Sequence, residues 1–408
     1  MAGKEDCFVA KKAVFMLFRS VWNVLQWRKE LLMKGAVLMS LYENMFARIG
    51  KTKEETMARL NDLFQTIFFD EEERFYFETP DGRMGYMLDT GNIDARTEGM
   101  SYGMMMAVQM DRKDIFDKLW LFSHTCMLQK QGIYEGYFAW SVNRDGSHRA
   151  EGPAPDGEEY FAMALFFAAN RWGDGEAPFD YSVQAREILR HCVHQHEIVP
   201  GGQPMWHGEN HYIKFVPESP YSDPSYHLPH FYQLFSQRAN AEDRAFWKKA
   251  AEESRKYIVL SAHPKTGLSP EYAEYDGTPR HMFGKEMDYY SDAYRVAMNI
   301  ALDHLWMGET QDMDLVAENL QKFIYENTQS GVYGSYMLDG TPFPEPAMHP
   351  VAITATLAAA SIASDGPYKD AFIQRLWDTP LRKGVRRYYD NCLYFFCFLM
   401  LCGEYKMY

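Results

Sequence analysis

Residues 153–173 read PAPDGEEYFAMALFFAANRWG, and the fold can be read outward from them. Pro153 and Pro155 fix the chain just ahead of a helix start, where a missing N–H and a locked φ are harmless. Asp156-Gly157-Glu158-Glu159 then places acids in a first turn, the end of the helix dipole that favours negative charge. The apolar residues that follow recur at helical spacing over 157–171. The same spacing predicts helices over 52–67, 98–110, 112–129, 181–195, 225–237, 241–260, 291–307, 312–327, 348–363, 367–377 and 385–403. Ser291 reads as an N-cap before Asp292 to Asn299. About a dozen helices in roughly 370 residues is one helix pair per roughly 60, a period typical of helical-hairpin arrays.

Strand signals are sparse. Residues 74–78 (RFYFE), 136–142 (GYFAWSV) and 331–337 (GVYGSYM) suit short hairpins lying between helices, not a central sheet. The βαβ alternation of a parallel α/β fold is absent. From Met39 onward there is no Ser/Gly run, charge block or low-complexity tract. The chain therefore reads as one all-α domain, 39–408, whose hairpins stack into a closed ring.

The 408 residues carry 42 Lys and Arg against 56 Asp and Glu, a formal charge of −14. No basic cluster offers a polyanion a footprint, so nucleic acid is excluded as a partner, while a neutral ligand meets no such barrier. Aromatic residues reach 15%, more than a structural core requires, and suit the stacking of flat apolar faces such as those of sugars. The six cysteines are badly placed for a disulfide framework. Cys392, Cys397 and Cys402 fall in one apolar run, CLYFFCFLMLC, and read as buried free thiols in a reducing compartment. The expected location is cytoplasmic.

The first 38 residues stand apart. Their apolar stretch is interrupted by Arg19, Arg28, Lys29 and Glu30, which argues against a membrane span, and no clean signal-peptide cleavage site follows. Lys34-Gly35-Ala36 can be encoded as AAA-GGA-GCN, a bacterial ribosome-binding sequence shortly before Met39. The expectation is that residues 1–38 are leader sequence read in frame; a mobile amphipathic extension is the alternative.

Phosphate-loop, dinucleotide, HExxH, CxxC and GxSxG signatures are missing. His191 and His194 share one helical face without a third ligand in step, so a solvated helix end is expected rather than a metal site. Acids at helix starts in apolar surroundings are more informative. Glu98, in ARTEGMSYGMMMAVQ, is either a capping glutamate or a desolvated carboxyl that keeps a proton near neutrality. Asp156 taken alone reads as an N-cap. Asp292, in YYSDAYRVAMNIALD, sits between tyrosines at a helix start whose free N–H groups would keep it ionised as a base. Arg295 either orients one of these acids or forms a surface ion pair.

These segments resemble the inverting glycoside hydrolases of family 8, especially the reducing-end xylose-releasing exo-oligoxylanases. The resemblance runs from about Tyr42 to the C-terminus. It rests on TEGMSYGMM (97–105), GYFAW (136–140), PAPDGEEYFAMALFFAANRWG (153–173), DPSYHLPHFYQLF (223–235), YYSDAYRVAMNIALD (289–303) and HPVAITATLAAAS (349–361), in that order. It implies an (α/α)6 barrel of six helical hairpins with a cleft across one end, and hydrolysis of β-1,4-linked xylooligosaccharides without metal or cofactor. By position, Glu98 matches the proton donor, Asp292 the general base, and Asp156 a third acid that holds the sugar at the cleavage point. Trp140, Tyr226, Arg295 and Tyr102 are the expected substrate contacts, with a core Trp and a packed Tyr as alternatives for the first two. Met348-His349-Pro350 matches a kinked loop that blocks the cleft after one leaving sugar. Proline forces its predecessor out of the α region, so a helix should start there, with His349 free to bond the terminal sugar and Met348 a flexible point in the wall. Rival readings are an endo-acting xylanase, glucanase or chitosanase of the same family, a non-catalytic sugar-binding barrel, and an unrelated barrel lyase or epimerase.

Overall fold

The computed structural model describes residues 42–308, 310–328 and 333–408. Residues 1–38 and the proposed start at Met39 lie outside the described residues, as do 331–332 of the third expected strand. Among the described residues the first six α-helices are α1 (Lys53–Phe69), α2 (Thr97–Gln109), α3 (Lys113–Phe122), α4 (Pro155–Trp172), α5 (Tyr181–Ile198) and α6 (Pro229–Arg238). The remaining six are α7 (Arg244–Ser261), α8 (Arg295–Met307), α9 (Gln311–Asn327), α10 (Pro350–Ala360), α11 (Lys369–Asp378) and α12 (Arg387–Leu401).

The even-numbered helices form an inner ring. α2 packs on α4, α4 on α6, α6 on α8, α8 on α10, α10 on α12, and α12 closes back on α2. The odd-numbered helices back this ring from outside. Sequence explains the division. The inner helices touch neighbours on every side and are apolar nearly all round, as in PVAITATLAAA and RYYDNCLYFFCFLML. The outer α3 instead keeps Ile115, Phe116, Leu119 and Trp120 on one face and leaves Lys113 and Asp114 exposed. The expected ring of helical hairpins is thus the observed architecture. Cys392, Cys397 and Cys402 are buried free thiols in or beside α12, as expected.

Caps fix where the elements begin. α1 opens with a capping box: Glu55 N donates to Thr52 Oγ1 at 3.1 Å, and Thr52 N donates to Glu55 Oε2 at 2.8 Å. Pro155, Pro229 and Pro350 occupy the first turns of α4, α6 and α10. Short turns such as 110–112 lead from inner to outer helices, whereas long segments (70–96, 128–154, 199–228 and 262–294) lead into the inner ones. The N-terminal rim of the ring therefore receives the long loops.

Among the described residues, strands occur only in loops that lead into inner helices, including the one between α9 and α10. β1 (Tyr76–Glu78) pairs antiparallel with β2 (Gly85–Met87). β3 (Ala95–Arg96), β4 (Ser141–Val142) and β5 (His148–Ala150) form a three-stranded antiparallel sheet. β6 (Gly334–Tyr336) pairs with β7 (Pro342–Pro346). The 136–142 segment is a strand only over its last two residues, because Phe138 makes an isolated bridge to Leu128 and Trp140 bonds outward to Thr97 and Gly152.

Two helix starts differ from expectation. Ser291 is not an N-cap: it opens a 3-10 turn, Ser291–Tyr294, with φ +28°, and its carbonyl accepts from the Tyr389 hydroxyl. α8 begins at Arg295 instead. Asp156 is not an N-cap either, since Ala154 holds that position and the Asp156 side chain turns to Arg295. The 112–129 helix ends at Phe122 and closes in a π turn, Ser123–Met127. The His191/His194 face is not simply solvated. His194 Nε2 lies 2.6 Å from Asp243 and Nδ1 3.1 Å from Glu197, while His191 pairs with Gln195.

Candidate active site

A cleft of about 460 Å³ opens on the N-terminal rim of the inner helices. Glu98, in the first turn of α2, Asp156, in the first turn of α4, and Asp292, three residues before α8, all line it. They meet because all three helices start at the same rim: α2 and α4 are neighbours in the ring, and Arg295 at the head of α8 reaches across it to both. Gly157 permits the closest of these approaches, since a Cβ there would lie 2.4 Å from the Thr97 Cβ.

Arg295, the first residue of α8, organises the acids. Its Nη1 donates to Glu98 Oε2 and Asp156 Oδ2, both at 3.0 Å, and lies 3.2 Å from the Tyr102 hydroxyl. Its Nη2 lies 3.2 Å from Asp292 and 3.8 Å from Asp223, and its Nε donates to Ser225 Oγ. The reading of Arg295 as an orienting residue is the one the geometry supports; with a side chain 3% exposed, it is no surface pair. Glu98 and Asp292 sit on the two forks of one planar guanidinium. That bridge holds them no farther apart than the upper end of the ~6.5–9.5 Å that inverting hydrolysis uses.

One cation faces four carboxyl groups in a site largely closed to water, so they cannot all be ionised together. Burial pushes the Glu98 carboxyl up to about 7; Arg295 opposes the rise, Asp156 and Asp292 add to it, and Tyr388 opposes it. Asp156 is raised mainly by burial, against Arg295, and Asp223 is raised well above the usual carboxylate range by burial and the nearby Asp292 charge. Glu98 is therefore a desolvated acid able to hold a proton near neutrality and not a capping glutamate. The free N–H groups expected to hold Asp292 are replaced by the guanidinium, because the 3-10 turn sets this residue ahead of the helix proper.

Trp140 and Tyr226 line the cleft with Arg295. The Arg96 guanidinium lies 5.1 Å from the Trp140 ring centroid, and Thr97 N donates to the Trp140 carbonyl, so β3 ties this ring to the start of α2. Tyr226 lies beneath Arg295 at 5.4 Å. Tyr102 and His349 are not among the cleft-lining residues. Tyr102 is buried and meets Arg295 from inside the ring. His349 stands just before α10, as its position ahead of proline required, with Nδ1 2.8 Å from Asp390 and its ring against Tyr389. Met348 is less free than expected, since Tyr290 and Arg386 approach its sulfur at 3.5 and 3.2 Å.

Several site residues escaped the sequence reading. Asp223 lies within the quoted DPSYHLP run, and its Oδ2 has no hydrogen-bond partner. The Tyr388 hydroxyl donates to Glu98 Oε1 at 2.8 Å. Asp390 is fully buried and accepts from His349, Val351 N, Ala352 N and Arg382. The signal for the last two was the YYD triplet at the start of an apolar helix, the same place Glu98 takes in α2. Phe215, Tyr272 and Phe283 complete the aromatic lining.

The Glycosyl hydrolases family 8 model matches residues 57–402. The chain belongs to this family. Among curated family members, the reducing-end xylose-releasing exo-oligoxylanase Rex8A of Paenibacillus barcinonensis is 54% identical over 92% of this chain and 99% of its own. The solved structure of that Rex8A complexed with xylose superposes with a TM-score of 0.87 at 55% identity, covering 90% of this chain and 97% of the other. Endoglucanase A of Acetivibrio thermocellus is only 27% identical, over 77% of this chain and 63% of its own length. Family membership makes the chain a glycoside hydrolase and removes the unrelated-barrel rival.

Proposed function

We propose that this chain cleaves β-1,4-xylooligosaccharides with inversion, releasing xylose from the reducing end. The observation that carries the chemistry is the Arg295 bridge, with a proton-holding Glu98 on one fork and Asp292 on the other. In this reading Glu98 protonates the departing glycosidic oxygen. Asp292 takes the proton of a water that attacks the anomeric carbon from the opposite face. Asp156 Oδ1, buried without a partner, is the acceptor left for a hydroxyl of the sugar at the cleavage point. Trp140 and Tyr226 supply apolar faces.

The exo assignment draws on the high identity to Rex8A, against the 27% shared with an endoglucanase. Asp390 supports it by anchoring the 348–352 bend through four donors, which suits a fixed wall. A cytoplasmic site of action is supported by the free thiols of Cys126, Cys192, Cys392, Cys397 and Cys402. Among the described residues no helix is long and apolar enough to cross a membrane.

Xylotriose labelled at its reducing end tests the proposal. Labelled xylose of inverted anomeric configuration is the expected product. Release from the other end, or efficient attack on polymeric xylan, refutes the exo reading; retention refutes the roles given to the two acids.

A further inference from the structure

Phe283 is the most exposed large apolar side chain among the described residues, at 69%, yet it lines the cleft. Its backbone is also costly. Lys285 N donates to the Met282 carbonyl, closing a turn whose central residues, Phe283 and Gly284, have φ of +56° and +73°. Gly, Asn and Asp dominate such turns, and a bulky aromatic is an outlier at the first position. An aromatic ring held in water on a left-handed backbone contributes little to folding, which points to a use in the cleft.

The ring is not isolated. Phe215 lies 6.0 Å from Tyr226 and 4.8 Å from Tyr272, and Tyr272 lies 5.9 Å from Phe283. Because Tyr226 lies beneath Arg295, these rings form a continuous row from the catalytic guanidinium to the mouth of the cleft. The turn is clamped on both sides. Lys285 Nζ donates to both Glu271 oxygens at 2.9 Å, and His281 Nε2 lies 2.8 Å from Asp288, whose other oxygen accepts from Leu338 N. Phe283 is thus presented from a fixed support rather than from a loose loop.

We propose that Phe283 is the outer sugar platform of the cleft, stacking on a xylosyl unit on the non-reducing side of the cleavage point. This rests on the exo reading above, in which only one sugar occupies the leaving side and every additional unit must extend the other way. Xylose carries no hydroxymethyl group, so each ring offers a flat C–H face that an exposed phenyl can cover. Phe283 then determines how strongly the enzyme favours longer chains.

Binding is measured calorimetrically with the full chain in a Glu98→Gln background, so that no hydrolysis intervenes, using xylobiose, xylotriose and xylotetraose. Adding Phe283→Ala is expected to weaken xylotetraose roughly three- to tenfold, with a clearly smaller loss for xylobiose. Phe283→Trp should retain the length dependence. An equal loss at all lengths, or no loss for xylotetraose, overturns the platform alone. Failure of the Glu98→Gln protein to bind any xylooligosaccharide overturns both this inference and the substrate reading beneath it.

Discussion

Replacing Tyr388 by phenylalanine removes one hydroxyl from the acid side of the site and leaves the ring in place. That hydroxyl donates to Glu98 Oε1 at 2.8 Å, while Arg295 holds Oε2 at 3.0 Å. Both donors favour the ionised carboxylate and oppose the burial that lifts Glu98 to about 7. A hydrogen bond to a charged acceptor contributes ~1.5–3 kcal/mol, or about one to two pKa units. The hydroxyl also bonds the protonated carboxyl, so a rise of about one unit, to ~8, is expected. In the proposed role Glu98 acts while protonated, so activity would be present below its pKa and lost as pH climbs through it. The alkaline limb of kcat/KM should therefore move upward. At about pH 8 the protonated share grows from about one-tenth to about half, so the ratio of kcat/KM at about pH 8 to that at about pH 6 rises roughly fivefold. The assay is a full pH profile on xylotriose for both proteins. The ratio is the diagnostic quantity, because loss of orientation lowers kcat/KM at every pH without moving the limb. A limb that stays in place, or that shifts toward acid, refutes the role given to Tyr388.

Glu98→Gln and Asp292→Asn should each reduce turnover by at least about 10³-fold, with sugar affinity by calorimetry largely kept; wild-type rates in either variant remove the assigned role. Asp390→Ala strips a fully buried carboxylate from Arg382, His349 and two backbone N–H groups. It should lower unfolding free energy by ~3–5 kcal/mol in denaturant titration; a change below about 1 kcal/mol would show that the bend at the start of α10 stands without it. Gly157→Ala drives a methyl into the Thr97 side chain, where a Cβ would lie 2.6 Å from Oγ1. Spreading α2 from α4 should cost about tenfold or more in kcat/KM and over ~1 kcal/mol of stability, and a variant normal in both would mean that this contact does not set the spacing of Glu98 and Asp156.

What could be read from sequence divides along a physical line. Helices were legible because each needs only its own periodicity, and the ring followed from about one helix pair per roughly 60 residues with strand signals too sparse for a central sheet. Glu98, Asp156 and Asp292 were legible as acids at helix starts, an unusual place for a charge beside apolar neighbours. Their common partner was only half legible. Arg295 was seen next to Asp292, but nothing local says that its other fork reaches Glu98, 197 positions away. Tyr388, Asp390 and Asp223 were missed for the same reason, since each acts on a residue brought to it by closure of the ring. Asp223 accepts from Ser225 N with Oδ1, so its local role as a cap hides the oxygen it turns toward Arg295. The misread starts at Asp156 and Ser291 have one cause: the N-cap preference is a local average that tertiary contacts override. At both places a catalytic-rim contact took the side chain or the carbonyl, with Asp156 drawn to Arg295 and the Ser291 carbonyl to Tyr389. The two misread starts both adjoin the cleft, through Asp156 and through Asp292 beside Ser291, where the demands of the site outweigh the ~1 kcal/mol that a cap contributes.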